Sequence, residues 1–196
     1  MRCRRSRNRS TNNRDGGTRI EPVFVPSVAQ GHRRRRVVGI DPGLTRCGYA
    51  VIEGSHNAAV SLSLGVIRTS ATDDLADRLL ALRDDIAELL DEFTPDVVAI
   101  ERVFFQANVR TAMSVGQASG IALVEARARG CEVVQYTPNQ IKETVAGYGA
   151  ADKAQIQKMV KLRLGLATTP RPADAADAAA IALCHLAVEP LHMVLR

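Results

Sequence analysis

The sequence predicts an α/β domain with a mixed five-stranded sheet flanked by helices. Three early segments with strand patterns are joined by short turns, which indicates an antiparallel meander. They are followed by a helix, a strand, a helix and a strand, and strands that alternate with helices usually run parallel. The chain of 196 residues has room for one such domain plus extensions.

The first three predicted strands lie close together along the chain. Val37–Ile40 is rich in β-branched residues and stops at Asp41, where Pro42-Gly43 forms a tight turn. A second strand is predicted over Cys47–Glu53, and alternating apolar residues predict a third over Ala59–Arg68. Asp41 therefore ends a predicted central strand.

The next elements alternate between helix and strand. Apolar residues at spacings of three and four predict a helix from about Asp73, which Pro95 ends. Asp96–Ile100 is apolar after its first residue, which is typical of a buried parallel strand, and it stops at Glu101. A long helix rich in Ala, Ser and Gly is predicted over Asn108–Arg129, with Asn as its N-cap.

A fifth strand and three helices complete the predicted fold. The strand covers Cys131–Tyr136, and Thr137–Gln140 is a capping box with Pro at the first helical position. Two basic helices are predicted over about Gln140–Ala146 and Asp152–Leu164. The final helix begins at Ala173 after two prolines.

The positive charge of the chain is concentrated in its first 36 residues. They hold eleven Arg against two acidic residues, a net of +9, while the remainder has fifteen Lys or Arg against nineteen acidic residues, a net of −4. With hardly any apolar pattern, residues 1–36 are predicted to be a disordered basic extension. A folded domain is predicted over residues 37–190 and a tail over 191–196. The extension is either a polyanion-binding arm or dispensable, and nothing beyond charge favours the arm.

Cysteine usage and hydropathy limit the class of protein. The four Cys include no C-x-x-C pair, which argues against a zinc site and a disulfide framework and is typical of a reducing cytoplasm. No run of about 18 apolar residues predicts a membrane span, and no apolar segment follows the N-terminal arginines as a secretory signal requires. A cytoplasmic protein without a membrane partner is expected.

Four carboxylates occupy positions from which they can meet. Asp41 and Glu101 each end an apolar strand, and Asp174 and Asp177 lie three residues apart at the start of the last helix. Ile181 continues the stripe of Asp177, so this helix face turns toward the sheet. Singly, each carboxylate has an ordinary explanation as a turn residue, a salt-bridge partner or a complement to the helix dipole. Together, they need protons or cations to neutralise them.

The ligand chemistry of these four residues indicates hard divalent cations. Carboxylate oxygens favour Mg²⁺ or Mn²⁺ over zinc. A pair of such ions supports in-line attack of water on a phosphodiester, because it stabilises both the attacking and the leaving oxygen. The residues alone therefore predict a metal-dependent hydrolytic nuclease.

Six short motifs follow one another between Val37 and His185. They are Gly39–Gly43, Ala99–Phe104, Gly116–Ala118, Thr137–Lys142, Ala151–Gln155 and Pro172–Ala178. This ordered set resembles the RuvC family of bacterial Holliday junction resolvases. The resemblance implies a ribonuclease-H-like fold and a Mg²⁺-dependent endonuclease that makes paired symmetric nicks in four-way DNA junctions during recombination and repair. It also implies two ions per site, a homodimer and a branch-migration motor of the RuvA/RuvB type as partner.

The same resemblance assigns roles to individual residues. It implies that the catalytic, metal-binding residues are the four carboxylates, Asp41, Glu101, Asp174 and Asp177. Lys142 and Lys153 match basic residues near the scissile phosphate, and Phe104 matches an aromatic residue that contacts junction bases. The small residues of the helix over Asn108–Arg129 indicate a dimer interface. Residues 1–36 have no counterpart in the family.

Three other functions fit parts of the pattern. A strand followed by Asp-x-Gly also occurs in sugar kinases and actin-like ATPases, but those proteins need two such domains. A non-catalytic junction-binding module gains nothing from four carboxylates, which repel phosphate. Another ribonuclease-H-like nuclease, acting on RNA or RNA–DNA hybrid, is the main alternative.

Overall fold

The computed structural model describes residues 34–102 and 109–194 of the chain. Its elements in chain order are β1 (Arg35–Asp41), β2 (Arg46–Ser55), β3 (Ala58–Arg68), α1 (Leu75–Phe93), β4 (Val97–Glu101), α2 (Val109–Ala128), β5 (Glu132–Tyr136), α3 (Pro138–Ala146), α4 (Lys153–Arg163) and α5 (Ala173–Val194). Every predicted strand and helix is present. The predicted cap Asn108 and the predicted base contact Phe104 lie outside the described residues.

The five strands form one sheet in the order β3-β2-β1-β4-β5. β1, β2 and β3 pair antiparallel, while β4 runs parallel to both β1 and β5, which confirms the mixed sheet. Ile40 of β1 is level with Ile100 of β4. The residues that follow, Asp41 and Glu101, therefore end neighbouring parallel strands at the same edge of the sheet.

β1 begins two residues earlier than predicted, because its first two arginines have partners elsewhere in the fold. The Arg35 guanidinium pairs with Glu132 at 2.8 Å and with Glu189 at 2.7 Å. Arg36 pairs with Glu53 at 2.8 Å. Arg35 and Arg36, which were predicted to end the basic extension, therefore belong to β1. Their partners lie too far along the chain for a local pattern to show them.

α5 packs directly on the centre of the sheet because two glycines allow the approach. A Cβ on Gly39 of β1 would collide with the carbonyl oxygen of Ala178 in α5. A Cβ on Gly48 of β2 would collide with the backbone of Asp174. Gly48 is also the antiparallel partner of Asp41, so these contacts hold the start of α5 beside the end of β1.

Helices cover both faces of the sheet. α3, α4 and α5 enclose one apolar core with the face that carries Val37, and α1 and α2 enclose a second core with the face that carries Val38. α5 continues to Val194, so the predicted domain end at residue 190 falls inside this helix. Within the described ranges, none of the five helices has the length and hydropathy of a membrane span.

α3 and α4 each begin with a capping box. Thr137 Oγ1 accepts a hydrogen bond from the amide of Gln140 at 3.2 Å, and Gln140 Oε1 accepts one from the amide of Thr137 at 2.8 Å, which confirms the prediction. Asp152 and Gln155 repeat the arrangement at the start of α4. The two caps fix the starts of the helices that carry the predicted DNA-binding lysines.

Candidate active site

The four predicted carboxylates meet at one edge of the sheet. Asp41 ends β1, Glu101 ends β4, and Asp174 and Asp177 lie near the start of α5. Burial, followed by the charges of Glu101, Asp177 and Asp174, raises the pKa of Asp41 from 3.8 to about 7. The fold therefore brings all four residues close enough for their charges to interact.

Glu101 is a second carboxylate whose charge is disfavoured. Its pKa is raised first by burial and then by the charge of Asp177. The ammonium groups of Lys142 and Lys153 oppose this shift without cancelling it. Asp41 and Glu101 thus form the part of the cluster that most needs added positive charge.

Asp174 has a cationic partner within the chain. Arg46, the first residue of β2, donates from Nε to Oδ2 of Asp174 at 3.0 Å, and its Nη2 donates to the same oxygen. These hydrogen bonds lower the pKa of Asp174 below 3.8. The Asp174 carboxylate is therefore ionised at neutral pH and held toward β2.

Asp177 is paired in a similar way with α4. Nζ of Lys153, the first residue of that helix, donates to Oδ2 of Asp177 at 2.7 Å. This hydrogen bond is the main cause of the raised pKa of Lys153. The contact joins a predicted phosphate-binding lysine to a predicted metal ligand.

The cluster suits a divalent cation by its chemistry, although two of its members are paired with side chains of the chain itself. In this conformation, no three acidic, His or Cys side chains of the described residues are arranged to hold one metal ion. Asp174 and Asp177 each direct one oxygen to Arg46 or Lys153. Burial, and then the charges of Glu101, Asp177 and Asp174, still raise the pKa of Asp41 in the presence of these partners. An all-carboxylate donor set with excess negative charge fits Mg²⁺ or Mn²⁺.

A cleft of about 230 Å³ opens beside the carboxylates. Its lining includes Glu101 and Asp177, together with Lys142 of α3 and Lys153 of α4. Most of the other lining residues are apolar. The cleft therefore presents acidic groups for cations and basic groups for phosphate within one space.

Polar contacts outside the cluster hold the turn that follows Asp41. Thr69 Oγ1 donates to the carbonyl oxygen of Leu44 at 2.6 Å and accepts from Nε of Arg78 at 3.1 Å. Nη2 of Arg78 donates to Thr45 Oγ1 at 2.7 Å. These bonds tie the turn between β1 and β2 to the segment between β3 and α1, and so support the position of Asp41.

Sequence reasoning missed Arg46, Thr69 and Arg78 as supporting residues of the site. Arg46 and its partner Asp174 are 128 positions apart, so no local pattern connects them. The one available signal was the position of Arg46, at the start of the strand paired with the Asp41 strand. That strand end faces the same edge of the sheet as the carboxylates.

Comparison with known sequences identifies the family. The family model described as crossover junction endodeoxyribonuclease RuvC matches residues 37–185. The crossover junction endodeoxyribonuclease RuvC of Parafrankia sp. (strain EAN1pec) is 53% identical over 152 residues, which cover 77% of this chain and 85% of the relative. The protein of the same name from Leifsonia xyli subsp. xyli is 54% identical over 151 residues, covering 76% of this chain and 73% of the relative.

Solved structures agree with the sequence comparison. Thermus thermophilus RuvC in complex with Holliday junction substrate superposes with a TM-score of 0.77 at 37% identity, covering 81% of this chain and 96% of that chain. The yeast mitochondrial Holliday junction resolvase has a TM-score of 0.62 at 16% identity, covering 83% and 82%, and supports the fold alone. These similarities confirm the predicted ribonuclease-H-like fold. The chain therefore belongs to the RuvC family of crossover junction endodeoxyribonucleases.

Proposed function

We propose that this chain cuts four-way DNA junctions by metal-dependent hydrolysis at the cluster formed by Asp41, Glu101, Asp174 and Asp177. The observation that carries the proposal is the meeting of these four carboxylates at one edge of the sheet, where burial and the three neighbouring carboxylates raise the pKa of Asp41 to about 7. A bound divalent cation would replace the proton that this group otherwise retains. Family membership supports the reaction, because RuvC enzymes are metal-dependent crossover junction endonucleases.

The ion we propose is Mg²⁺, with two ions per site and Mn²⁺ as a substitute. Carboxylate oxygens are the ligands that these cations prefer. When bound, such a pair of ions activates water and stabilises the leaving oxygen of the phosphodiester. The task of the chain is to hold the four carboxylates at one edge of the sheet and to orient the DNA strand there.

Two lysines and one aromatic residue are proposed to orient the DNA. Lys142 and Lys153 line the cleft beside Glu101 and Asp177, where a phosphate next to the cleaved bond would lie. Such phosphate contacts position the strand without reading its sequence. By its resemblance to the family motif, Phe104 is proposed to stack on a junction base.

A homodimer formed through α2 is the assembly we propose. Met113 and Val124 are 61% and 65% exposed. Gly116 and Gly120 lie between them at spacings of three and four, and a Cβ added at either glycine meets nothing within 4 Å beyond the neighbouring backbone of α2 itself. This stripe on α2 allows close approach by a second copy. A four-way junction has approximate twofold symmetry, so an isologous dimer would place one site on each of two strands.

The domain limits, the partner and the location are also proposals. The catalytic domain is proposed to cover residues 37–190, extended by Arg35 and Arg36 at the start of β1 and by the end of α5 to Val194, with the residues before β1 as a basic extension. A branch-migration motor of the RuvA/RuvB type is the proposed partner, by resemblance to the family. Because the substrate is cellular DNA, we place the activity in the cytoplasm.

Cleavage of three matched substrates tests the proposed function. A four-way junction, a linear duplex of the same sequence and an RNA–DNA hybrid are each incubated with Mg²⁺ or with EDTA. We expect paired symmetric nicks in the junction alone, and no nicks in EDTA. Preferential cleavage of the hybrid would contradict the proposal and favour a nuclease of the ribonuclease H type. Junction binding without any metal-dependent cleavage would contradict it in favour of a binding module.

A further inference from the structure

Arg46 lies in the site but has no part in the proposed chemistry. Its Nε and Nη2 both donate to Oδ2 of Asp174, so the planar guanidinium faces one oxygen of a proposed metal ligand. The two side chains are 39% and 26% exposed, which leaves the pair open to ions from solution. Arg46 belongs to β2, whereas the two proposed phosphate-binding lysines belong to α3 and α4.

A divalent cation at Asp174 and the guanidinium of Arg46 are in competition. Both are positive, and like charges at contact distance in a partly buried site repel strongly. Both also need the carboxylate oxygens of Asp174, one of which already accepts two hydrogen bonds. An arginine cannot relieve this conflict by losing its proton, because its guanidinium stays charged at all ordinary pH values. It has to move away if the cation takes Oδ2, the oxygen to which both of its hydrogen bonds go.

The ion pair between Lys153 and Asp177 is more exposed, and has fewer hydrogen bonds, than the pair between Arg46 and Asp174. Lys153, which holds Asp177, is 60% exposed and makes a single hydrogen bond from a flexible ammonium group. Arg46 makes two from a rigid fork, which is harder to displace. Arg46 is therefore the stronger internal counter-ion of the cluster.

We propose that Arg46 is a positioning residue that competes with the divalent cation for Asp174 and thereby sets the cation concentration at which the site fills. In the metal-free enzyme, the guanidinium offsets one of the four clustered negative charges and holds Asp174 in the direction of β2. On metal binding, Asp174 exchanges the guanidinium for the cation. This inference depends on the proposed metal site at the four carboxylates.

Binding of Mn²⁺ to the protein without DNA tests the competition. We compare wild type with Arg46→Gln and with the control Arg83→Gln, which removes the same charge from an exposed ion pair with Asp84 on α1. Isothermal titration should show about three- to tenfold tighter Mn²⁺ binding by Arg46→Gln. The control should stay within about twofold of wild type. Equal affinity of the two variants, or weaker binding by Arg46→Gln, would overturn the inference.

A second measurement, an NMR titration with Mg²⁺, is made on the wild-type protein. The ¹⁵N-labelled Nε–H signal of Arg46, assigned through its absence in Arg46→Lys, is followed while Mg²⁺ is added to the wild-type protein. We expect the signal to shift with the same midpoint as Mg²⁺ binding, because the hydrogen bond from Nε to Asp174 is lost. A signal that is unchanged at saturating Mg²⁺ would overturn the exchange of partners.

These outcomes separate the inference from the proposed function. Asp41→Asn is titrated with Mn²⁺ alongside the other proteins. If it binds Mn²⁺ as wild type does, the proposed metal site is wrong, and the inference is wrong with it. If it binds more weakly while Arg46→Gln matches Arg83→Gln, the metal site stands and only the role of Arg46 is rejected.

Discussion

Nζ of Lys153 lies 2.7 Å from Oδ2 of Asp177, so a lysine of α4 and a carboxylate of α5 share one hydrogen bond within the site. The capping box between Asp152 and Gln155 starts α4 at this lysine, and so fixes where the ammonium group can reach. Under the proposed function, this lysine serves the carboxylate in the free enzyme and a phosphate in the DNA complex. The proposal therefore predicts that the pair links cation binding to strand positioning.

Replacing this lysine should lower catalysis. Lys153→Gln removes a positive charge where negative charge develops on the phosphate, so we expect junction cleavage to fall about tenfold or more. The matched control is Lys158→Gln, an exposed lysine on the same helix, which should stay within about twofold of wild type. Single-turnover cleavage rates on a four-way junction provide the measurement. Equal losses in the two variants would remove Lys153 from the site.

The raised pKa of Asp41 predicts how the stability of the metal-free protein depends on pH. The folded state holds the Asp41 proton up to about pH 7, whereas the unfolded state releases it near 3.8. The folded state thus binds this proton more tightly, so the contribution of Asp41 to stability falls as pH rises from about 4 to 7 and is constant above. Asp41→Asn should therefore melt several degrees higher than wild type at pH 8 in EDTA.

The difference in melting temperature between wild type and Asp41→Asn isolates the titration of Asp41 from that of other groups. It should be small near pH 4 and should grow toward pH 8, as followed by thermal unfolding across that range in EDTA. Saturating Mg²⁺ should stabilise wild type more than Asp41→Asn. A variant that melts below wild type at pH 8 in EDTA would show that the Asp41 charge is not disfavoured.

The hydroxyl of Thr69 should matter for both stability and rate. Thr69→Val keeps the side-chain shape but removes the donor to the Leu44 carbonyl and the acceptor for Arg78. We expect a loss of about 1–3 kcal/mol in the free energy of unfolding, because a buried carbonyl is left unsatisfied. Cleavage should fall several-fold more than junction binding, since the turn after Asp41 loosens. The control Thr72→Val removes an exposed hydroxyl and should change neither quantity.

The proposed dimer predicts that two glycine substitutions on α2 stabilise the fold but weaken the association of two copies. Gly116→Ala with Gly120→Ala should stabilise α2 by up to about 1 kcal/mol per site, because alanine is the better helix former and its Cβ meets no described atom. The same methyl groups should hold two copies apart. Sedimentation should show wild type at about twice the 21.2 kDa chain mass and the double variant shifted toward monomer. A double variant that dimerises as tightly as wild type would contradict this interface.

Much of the fold was predictable because it rests on local signals. The end of β1 before Pro42-Gly43, the period of two in β3 and the capping box at Thr137 each arise from neighbouring residues. The start of β1 was misplaced because Arg35 and Arg36 take part in the strand through ion pairs with distant residues. Charge alone made them look like part of the extension.

The candidate site was also predictable only where local signals mark its residues. The four carboxylates were predictable because each marks the end of a strand or the start of a helix, and parallel strands end at a common edge. Arg46 was not, because its importance comes from facing Asp174, and only the packing of α5 across Gly39 and Gly48 creates that contact.

The central claim is that the four carboxylates form the metal-dependent catalytic centre, and Asp41→Asn tests it most directly. Cleavage and binding of one four-way junction are measured on the same preparation in Mg²⁺, next to the control Asp84→Asn, which alters an exposed carboxylate on α1. Cleavage by Asp41→Asn should fall at least about a hundredfold while junction affinity stays within about threefold of wild type. The control should cleave normally. Near-normal cleavage by Asp41→Asn would contradict the account.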